Sequence, residues 1–274
     1  MPFLVEALCE EFKPILISSQ RQYDKSKSRL RFILSFEPGW AAPRLNYDVK
    51  IDCCKVVIYS DPHYKPEERQ KYFDENGFDY VLSFYSSPFF RHFRKFSQNK
   101  FIHFPWFVPD VFVSSRKPEV LNNEIAIFGG RKSDAYDLRN WCREQEGITN
   151  YDFSGVECKN LSDEGYYRWL ERLDAVVAAG SSNPFYDLVT PKYFEIASAG
   201  ALLFGQYCTD LSLLGFNNDN CVIFTREDFL DKVAAYRQAP ENYLGIRENG
   251  LSLIRSRHLL SHRITTIREL FYAS

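Results

Sequence analysis

The sequence predicts an α/β protein built from two Rossmann-like, doubly wound parallel sheets, on three observations. Short β-branched or aromatic runs alternate with helix-like stretches along the whole chain; the alternation lapses once near the middle; and 274 residues is the length of about two domains. A hydrophobic content of 45% and an aromatic content of 16% supply side chains for two cores and exclude a disordered chain.

Each element follows from its local pattern. Pro14–Ser18, Leu30–Phe36, Lys55–Ser60, Tyr80–Phe84 and Lys100–Phe104 are short apolar runs, mostly closed by Ser, Pro or Gly, and read as buried parallel strands. Pro66–Asn76 has Pro at its start and Asn76-Gly77 as a stop, which predicts a helix. From Phe104 to Asn123 the period lapses among Pro105, Pro109, Pro118 and the pair Arg116-Lys117. The alternation restarts with a strand Glu124–Phe128, helices over 133–146 and 162–172, and a strand Asp174–Ala179. A helix from Pro191, strands Ala201–Phe204 and Cys221–Phe224, and helices from Arg226 onward complete it. The expected division is therefore a domain over 1–112, a linker over 113–123 and a second domain over 124–255. A last helix over 256–274 is expected to cross back to the first domain, with a cleft between the two.

The net charge of −2 excludes a chain-wide basic field for nucleic acid or anionic membranes. Seven scattered cysteines without a C-x-x-C signal neither a zinc site nor a disulfide framework, and fit a reducing compartment. The apolar start Met1–Cys9 lacks a basic flank and meets Glu6, Glu10 and Glu11 too early for a signal peptide. No apolar run reaches the roughly 18 residues of a membrane span. A cytoplasmic protein is expected.

The most informative stretch runs from Asp187 to Gly200. Thr190 is a good N-cap and Pro191 a good first helical residue, so the helix start aims unpaired N–H groups outward and makes an anion site. Lys192 and Glu195, spaced i,i+3, share a face with Ser198 and Ala199 one turn on, which suits a phosphate and a ribose. A capped surface helix with a weak Lys–Glu pair fits the same spacing. Gly129-Gly130-Arg131 follows the first strand of the second domain, where a doubly wound fold turns toward phosphate, and Arg131 could grip it bidentately. Tyr136 and Arg139 on the next helix are secondary candidates, and Ser154-Gly155 ends another strand at the same edge.

In the first domain Ser60-Asp61-Pro62-His63-Tyr64 follows an apolar strand, and Glu37 follows another. Asp61, His63 and Glu37 are therefore candidate bases for taking a proton from a hydroxyl. The run Phe89–Phe96 reads as an amphipathic helix that also suits peripheral contact with a membrane. Arg255, Arg257, His258, His262, Arg263 and Arg268 form a basic tail suited to bridging domains. No metal-ligand cluster appears.

The segment Asp187–Gly200 resembles the donor-binding motif of two-Rossmann (GT-B) nucleotide-sugar glycosyltransferases. In that motif two acids, here Asp187 and Glu195, are separated by seven residues and followed by a small-residue A-x-x-G run. The stretch through Leu202-Leu203-Phe204, Asp210-Leu211, Cys221–Phe224, Glu248-Asn249-Gly250, His258 and Arg263 looks like the CgeB-like, group 1 branch. Asp187–Lys192 is also similar to the D-Y-V-T-E-K motif of α-1,3-fucosyltransferases, with Pro191 in place of its Glu. The resemblance implies a GT-B fold, with acceptor in the first domain and donor in the second. It implies transfer of a sugar from a nucleoside diphosphate (UDP or GDP) to a hydroxyl of a glycan or glycoconjugate. Glu195 would accept from the ribose hydroxyls, Lys192 would neutralise the diphosphate, and Asp187 with the amides of Val189 and Thr190 would face the sugar. Gly130, Arg131 and Tyr193 complete the expected donor contacts. A D-x-D run is absent from its expected place, so metal-independent transfer with no cofactor beyond the donor is expected. Trp40, Tyr64, Trp106 and Phe107 are candidate sugar-stacking walls. The alternatives are a non-catalytic nucleotide- or sugar-binding protein of the same fold and, disfavoured for want of G-x-G-x-x-G, an NAD-dependent oxidoreductase.

Overall fold

The computed structural model describes residues 2–37, 42–151 and 161–273. The chain divides into two compact units, one formed by Met1–Pro105 with His262–Ser274 and the other by Trp106–Ser261.

Unit 1 contains α1 (Pro2–Phe12), α2 (Gln20–Ser26), β1 (Phe32–Phe36), β2 (Cys54–Tyr59), α3 (Pro66–Asn76), β3 (Tyr80–Ser83), α4 (Ser87–His92) and β4 (Phe101–His103). Its four strands pair in chain order, β1-β2-β3-β4, all parallel. Val56–Tyr59 are fully buried, as expected of a strand covered on both faces. Helix α3 begins at Pro66 and stops at Gly77, whose left-handed φ of 62° lets its amide return to the carbonyls of Asp74 and Phe73. The core is aromatic: Phe89 and Phe93 stack at 4.5 Å between centroids, and Phe73 and Tyr59 pack edge-on at 5.6 Å. The run Phe89–Phe96 is thus anchored in the core by Phe89 and Phe93.

Pro14–Ser18 does not form the expected strand. Pro14 has no amide to donate, and the amide of Ser18 donates to the side chain of Gln22 at 2.7 Å instead of to a neighbouring strand. Ile15 and Leu16 stay exposed, at 56% and 70%.

Unit 2 contains β5 (Ile125–Phe128), α5 (Asp137–Arg143), β6 (Thr149–Tyr151), α6 (Asp163–Leu170), β7 (Ala175–Ala178), α7 (Pro191–Ser198), β8 (Leu202–Gln206), β9 (Val222–Phe224), α8 (Phe229–Gln238) and α9 (Leu244–Arg257). The sheet order is β6-β5-β7-β8-β9, again all parallel. The chain goes outward from β5 to β6, then crosses back to β7 on the other side, so the order reverses between β5 and β7. Every residue of β5, β7 and β8 is buried.

Residues 113–123, expected as a linker, belong to unit 2. Ser114 donates its amide to the Ser198 carbonyl at 2.9 Å, and the amides of Leu121 and Asn122 donate to the carboxylate of Asp174 at 2.8 and 2.7 Å. Asp174 is fully buried beside Arg247, 3.6 Å away, and Arg247 donates in turn to the carbonyls of Gly200 and Glu119. The polar, proline-bearing stretch has no period because these residues are held by backbone amides, which any residue but proline has.

The last helix, α10 (Leu260–Ala273), begins on unit 2, where the Leu260 amide donates to Val108, and from His262 belongs to unit 1. There Arg268 pairs with Glu11 at 2.7 Å, Phe271 packs on Phe12 and Phe32, and Arg263 donates to the Pro105 carbonyl at 2.7 Å. Upstream, Arg255 donates to the Ser114 carbonyl and the buried His258 ring bonds the Leu214 carbonyl at 2.8 Å. Among the described residues no helix is long and apolar enough to cross a membrane.

Candidate functional site

In an open parallel sheet, ligands bind beyond the carboxyl ends of the strands where the strand order reverses. In unit 2 that point lies past Phe128 of β5 and Ala178 of β7. Three cationic side chains converge on the backbone after β5. Lys192, in the first turn of α7, donates its Nζ to the Phe128 carbonyl and lies 3.9 Å from the centroid of that ring. Arg143 donates to the carbonyls of Gly129 and Gly130, and Arg139 to those of Gly130, at 3.4 Å, and Ala179, at 2.7 Å. Both arginines are buried, and burial holds the Arg139 guanidinium below its ordinary pKa.

Glycine is favoured at both turn positions, most strongly at the first. Gly129 has φ of 116°, and a Cβ there would collide with Lys192 Nζ. At Gly130 a Cβ would come within 3.0 Å of the Tyr136 ring, which also carries Arg139 at 4.3 Å. Tyr136 and Arg139 therefore shape the turn from within, while Arg131 is exposed beyond it.

The turn after β7 is fixed from two sides. Asp137, at the start of α5, accepts from both hydroxyls and one amide of Ser181 and Ser182. Burial alone would raise its carboxyl pKa, but these bonds outweigh it and hold the group below the ordinary range. From the other side Gln206 accepts from the Gly180 amide at 2.7 Å and donates to the Ser181 carbonyl at 2.6 Å.

Thr190 occupies the N-cap position with extended backbone, φ −74° and ψ 166°, and its side chain makes no capping bond. Glu195, one turn after Lys192, accepts from the Tyr166 hydroxyl at 2.8 Å. Burial raises its pKa, opposed by the Tyr166 bond and by Lys192. Tyr166 sits on α6, which Ser162 caps through the Gly165 amide at 3.1 Å. Asp187, with a left-handed φ of 43°, accepts from the amide and hydroxyl of Thr209 at 3.0 and 2.6 Å. Its carboxylate thus pins the loop before α7 to the segment after β8.

Tyr193 and Val189 are both 1% exposed. The Tyr193 hydroxyl donates to the Gln206 carbonyl at 2.8 Å, and its ring leaves no room for a Cβ at Gly205. The expected donor contact by the Tyr193 side chain is corrected accordingly, since a ring packed beneath the helix supports it from the core. Ser154-Gly155, Trp40 and Cys158 lie outside the described residues. Tyr166 and Arg143 were not singled out from the sequence. The signal for Tyr166 was a Ser-capped helix start in the same βα edge; Arg143 gave none.

The carboxyl edge of unit 1 gathers two of the three candidate bases. Glu37 follows β1, Ser60 and Asp61 follow β2, and the two strands are neighbours. Glu37 is buried, accepts from the amide (3.2 Å) and hydroxyl of Ser60, and lies 4.0 Å from Arg69. Burial, followed by the charge of Glu37, pushes the Asp61 carboxyl up to about 6. His63 is held below its ordinary value by burial and by His92, so its neutral form is favoured. Tyr64 is half exposed, and Trp106, on unit 2, packs against that unit's core. Among the described residues no group of three or more His, Cys, Asp or Glu is arranged to hold a metal ion.

Residues 112–269, more than half of the chain, match the family described as glycosyl transferase-like. No curated protein matches at a significant level. Among solved structures, the chain is similar to S. aureus TarM, with TM-score 0.62 and 11% identity over 88% of this chain and 54% of that one. It is also similar to a glycosyltransferase from Rickettsia africae (TM-score 0.60, 11% identity, 92% and 78%). A third is Anabaena HepE in complex with UDP-glucose (TM-score 0.61, 10% identity, 81% and 73%). The chain spans about half the length of TarM. With two all-parallel α/β units, these likenesses show the GT-B fold. By the extent of the family match, the chain belongs to the glycosyl transferase-like family.

Proposed function

We propose that this protein transfers a sugar from a nucleoside diphosphate to a hydroxyl of a glycan or glycoconjugate, without a metal, in the manner of the CgeB-like branch. The observation that carries the reading is Lys192 Nζ held at the carboxyl end of β5, beside the reversal in strand order, on the helix that also carries Glu195. A diphosphate arriving at the N-terminus of α7 would meet the positive end of the helix dipole and the Lys192 ammonium. It would lie beside the glycine turn. The same positive field stabilises the leaving diphosphate as the glycosidic bond breaks, which is the charge a metal would otherwise neutralise. Glu195, oriented by Tyr166, accepts from the ribose hydroxyls. The loop of Asp187, with the amides of Val189 and Thr190, faces the donor sugar, and Arg131 reaches the phosphates from outside the turn.

On unit 1, Asp61 is the group suited to deprotonating an acceptor hydroxyl in an inverting transfer. A carboxyl near 6 is ionised at neutral pH yet more basic than an ordinary aspartate. Glu37 keeps it basic, and His63 is the reserve base. UDP and GDP are the nucleotides to test first, and the reading places the protein in the cytoplasm, with peripheral access to membrane-borne acceptors.

A thermal-shift panel of UDP-, GDP-, TDP- and CMP-sugars tests the donor site. A ligand at 100 times its dissociation constant adds about 2.7 kcal/mol to stability. The expected result is stabilisation by one nucleotide class that is lost in Lys192→Ala and Glu195→Ala; stabilisation unchanged in both variants would overturn the assignment.

A further inference from the structure

Unit 1 contains a cavity of about 450 Å³ bounded by α1, the segment Pro14–Ser18, β1 and α10. Its volume falls within the range of about 300–1,000 Å³ typical of small-molecule sites. Among the described residues no charged side chain lines it. The hydroxyls in its wall are already bonded within the protein: Tyr23 accepts from the Asp48 amide at 2.9 Å, Ser35 donates to the Phe36 carbonyl at 3.1 Å, and Ser18 donates to Gln22 at 2.9 Å. What the cavity offers a ligand is therefore mostly apolar surface. Ile15 and Leu16, the residues of the strand that does not form, line its rim and stay largely exposed. Exposed aliphatic side chains beside a mostly apolar cavity gain by covering an apolar ligand.

The position of the cavity gives it a connection to the chemistry. It follows β1 along its length and includes Phe36, the residue before Glu37, and Ala42, whose amide donates to the Glu37 carbonyl at 3.2 Å. Phe36 and Ala42, on either side of Glu37 along the chain, are thus cavity walls, and Glu37 adds its charge to the burial that raises Asp61.

We infer that this cavity holds the apolar chain of a lipid-linked acceptor, with the glycosylated hydroxyl end emerging toward Asp61. The inference rests on the glycosyltransfer reading for the acceptor's role, and on the cavity alone for the binding of the chain. A linear acyl or prenyl chain fits because the walls are mostly apolar and, among the described residues, carry no charged side chain. The same absence requires any charged headgroup to remain outside.

The test has two arms. In the first, cis-parinaric acid is titrated into the full chain by fluorescence, with circular dichroism as the check on folding. Binding is expected in the micromolar range, and at least tenfold weaker in Leu16→Asp at the exposed rim and in Leu34→Trp, which fills the cavity. Absence of binding, or equal binding in both folded variants, overturns the proposal. In the second arm, methyl, octyl and dodecyl glycosides are compared as acceptors with the donor found by thermal shift. KM is expected to fall by up to about fourfold per buried methylene until the cavity is full, a trend lost in the two variants. A KM independent of chain length overturns the acceptor role even where parinaric acid binds. Failure of the glycosyltransfer reading appears separately, as loss of nucleotide stabilisation with parinaric acid binding intact.

Discussion

The hydroxyl of Tyr166 donates to the carboxylate of Glu195 across 2.8 Å, joining α6 to α7 at the reversal in the strand order. A hydrogen bond to a charged group contributes roughly 1.5–3 kcal/mol, and this one fixes which Glu195 oxygen faces outward. Tyr166→Phe is therefore expected to weaken nucleoside diphosphate binding about 5- to 20-fold. Titration calorimetry with UDP and 2′-deoxy-UDP checks it. The wild type should prefer the ribonucleotide, and the variant should lose most of that preference.

Gly129 and Lys192 occupy space that cannot be shared. Gly129→Ala would place a methyl group on Lys192 Nζ at a backbone angle unfavourable to alanine. The expected outcome is a loss of about 1–3 kcal/mol in stability, together with at least tenfold weaker nucleotide binding. Lys192→Ala should weaken binding similarly while relieving the clash, so the double variant should bind no worse than Lys192→Ala alone. Chemical denaturation and thermal shift in parallel would measure both.

Asp61 sets the expected pH dependence. With its carboxyl near 6, kcat/KM should rise with pH through about 6 and level off above 7, and Asp61→Asn should abolish turnover while leaving nucleotide binding intact. The stability sign is opposite to that of a salt-bridged aspartate. A folded pKa above the unfolded one favours the protonated native state, so the contribution of Asp61 to stability is greatest at low pH and declines as pH rises from about 4 through 6. Asp61→Asn should consequently be more stable than the wild type at pH 8, by on the order of 2 kcal/mol, and equal to it near pH 4. Urea denaturation at the two pH values decides this.

The buried pair Asp174–Arg247 should behave as a structural staple. Removing either partner leaves an uncompensated buried charge, so Asp174→Ala and Arg247→Met should each cost about 3–5 kcal/mol. The double variant should cost less than the sum. Double-mutant-cycle denaturation provides the check.

The legible parts of this chain are those whose physics is local. β2, β5, β7 and β8 stood out because strands buried on both faces are continuous apolar runs, and α3 because Pro66 and Gly77 punctuate it. For β6 only a strand end near Ser154-Gly155 was expected, since Thr149-Asn150-Tyr151 lies at a sheet edge with little buried surface. Pro14–Ser18 had the composition of a strand but not the partner, and composition alone carries no information about pairing. At the site, the cap and spacing of α7 marked Thr190, Lys192 and Glu195. Tyr166 lies 29 residues from Glu195, and Arg143 lies 14 from the carbonyl it holds, so each contact depends on a crossover that local pattern does not encode. Glu37 and Asp61 were each legible as strand-end acids; that one would tune the other follows only from β1 and β2 being neighbours.

The return of α10 to unit 1 has a consequence for the order of assembly. Unit 2 is one continuous stretch, Trp106–Ser261, whereas unit 1 needs His262–Ser274 to cover Phe12 and Phe32. During synthesis, domains fold as their sequences emerge, normally from the N-terminus onward. Here the ribosome exposes the whole of unit 2 before the last wall of unit 1 exists. The first 105 residues must wait, with their cavity unroofed, for α10 to leave the exit tunnel.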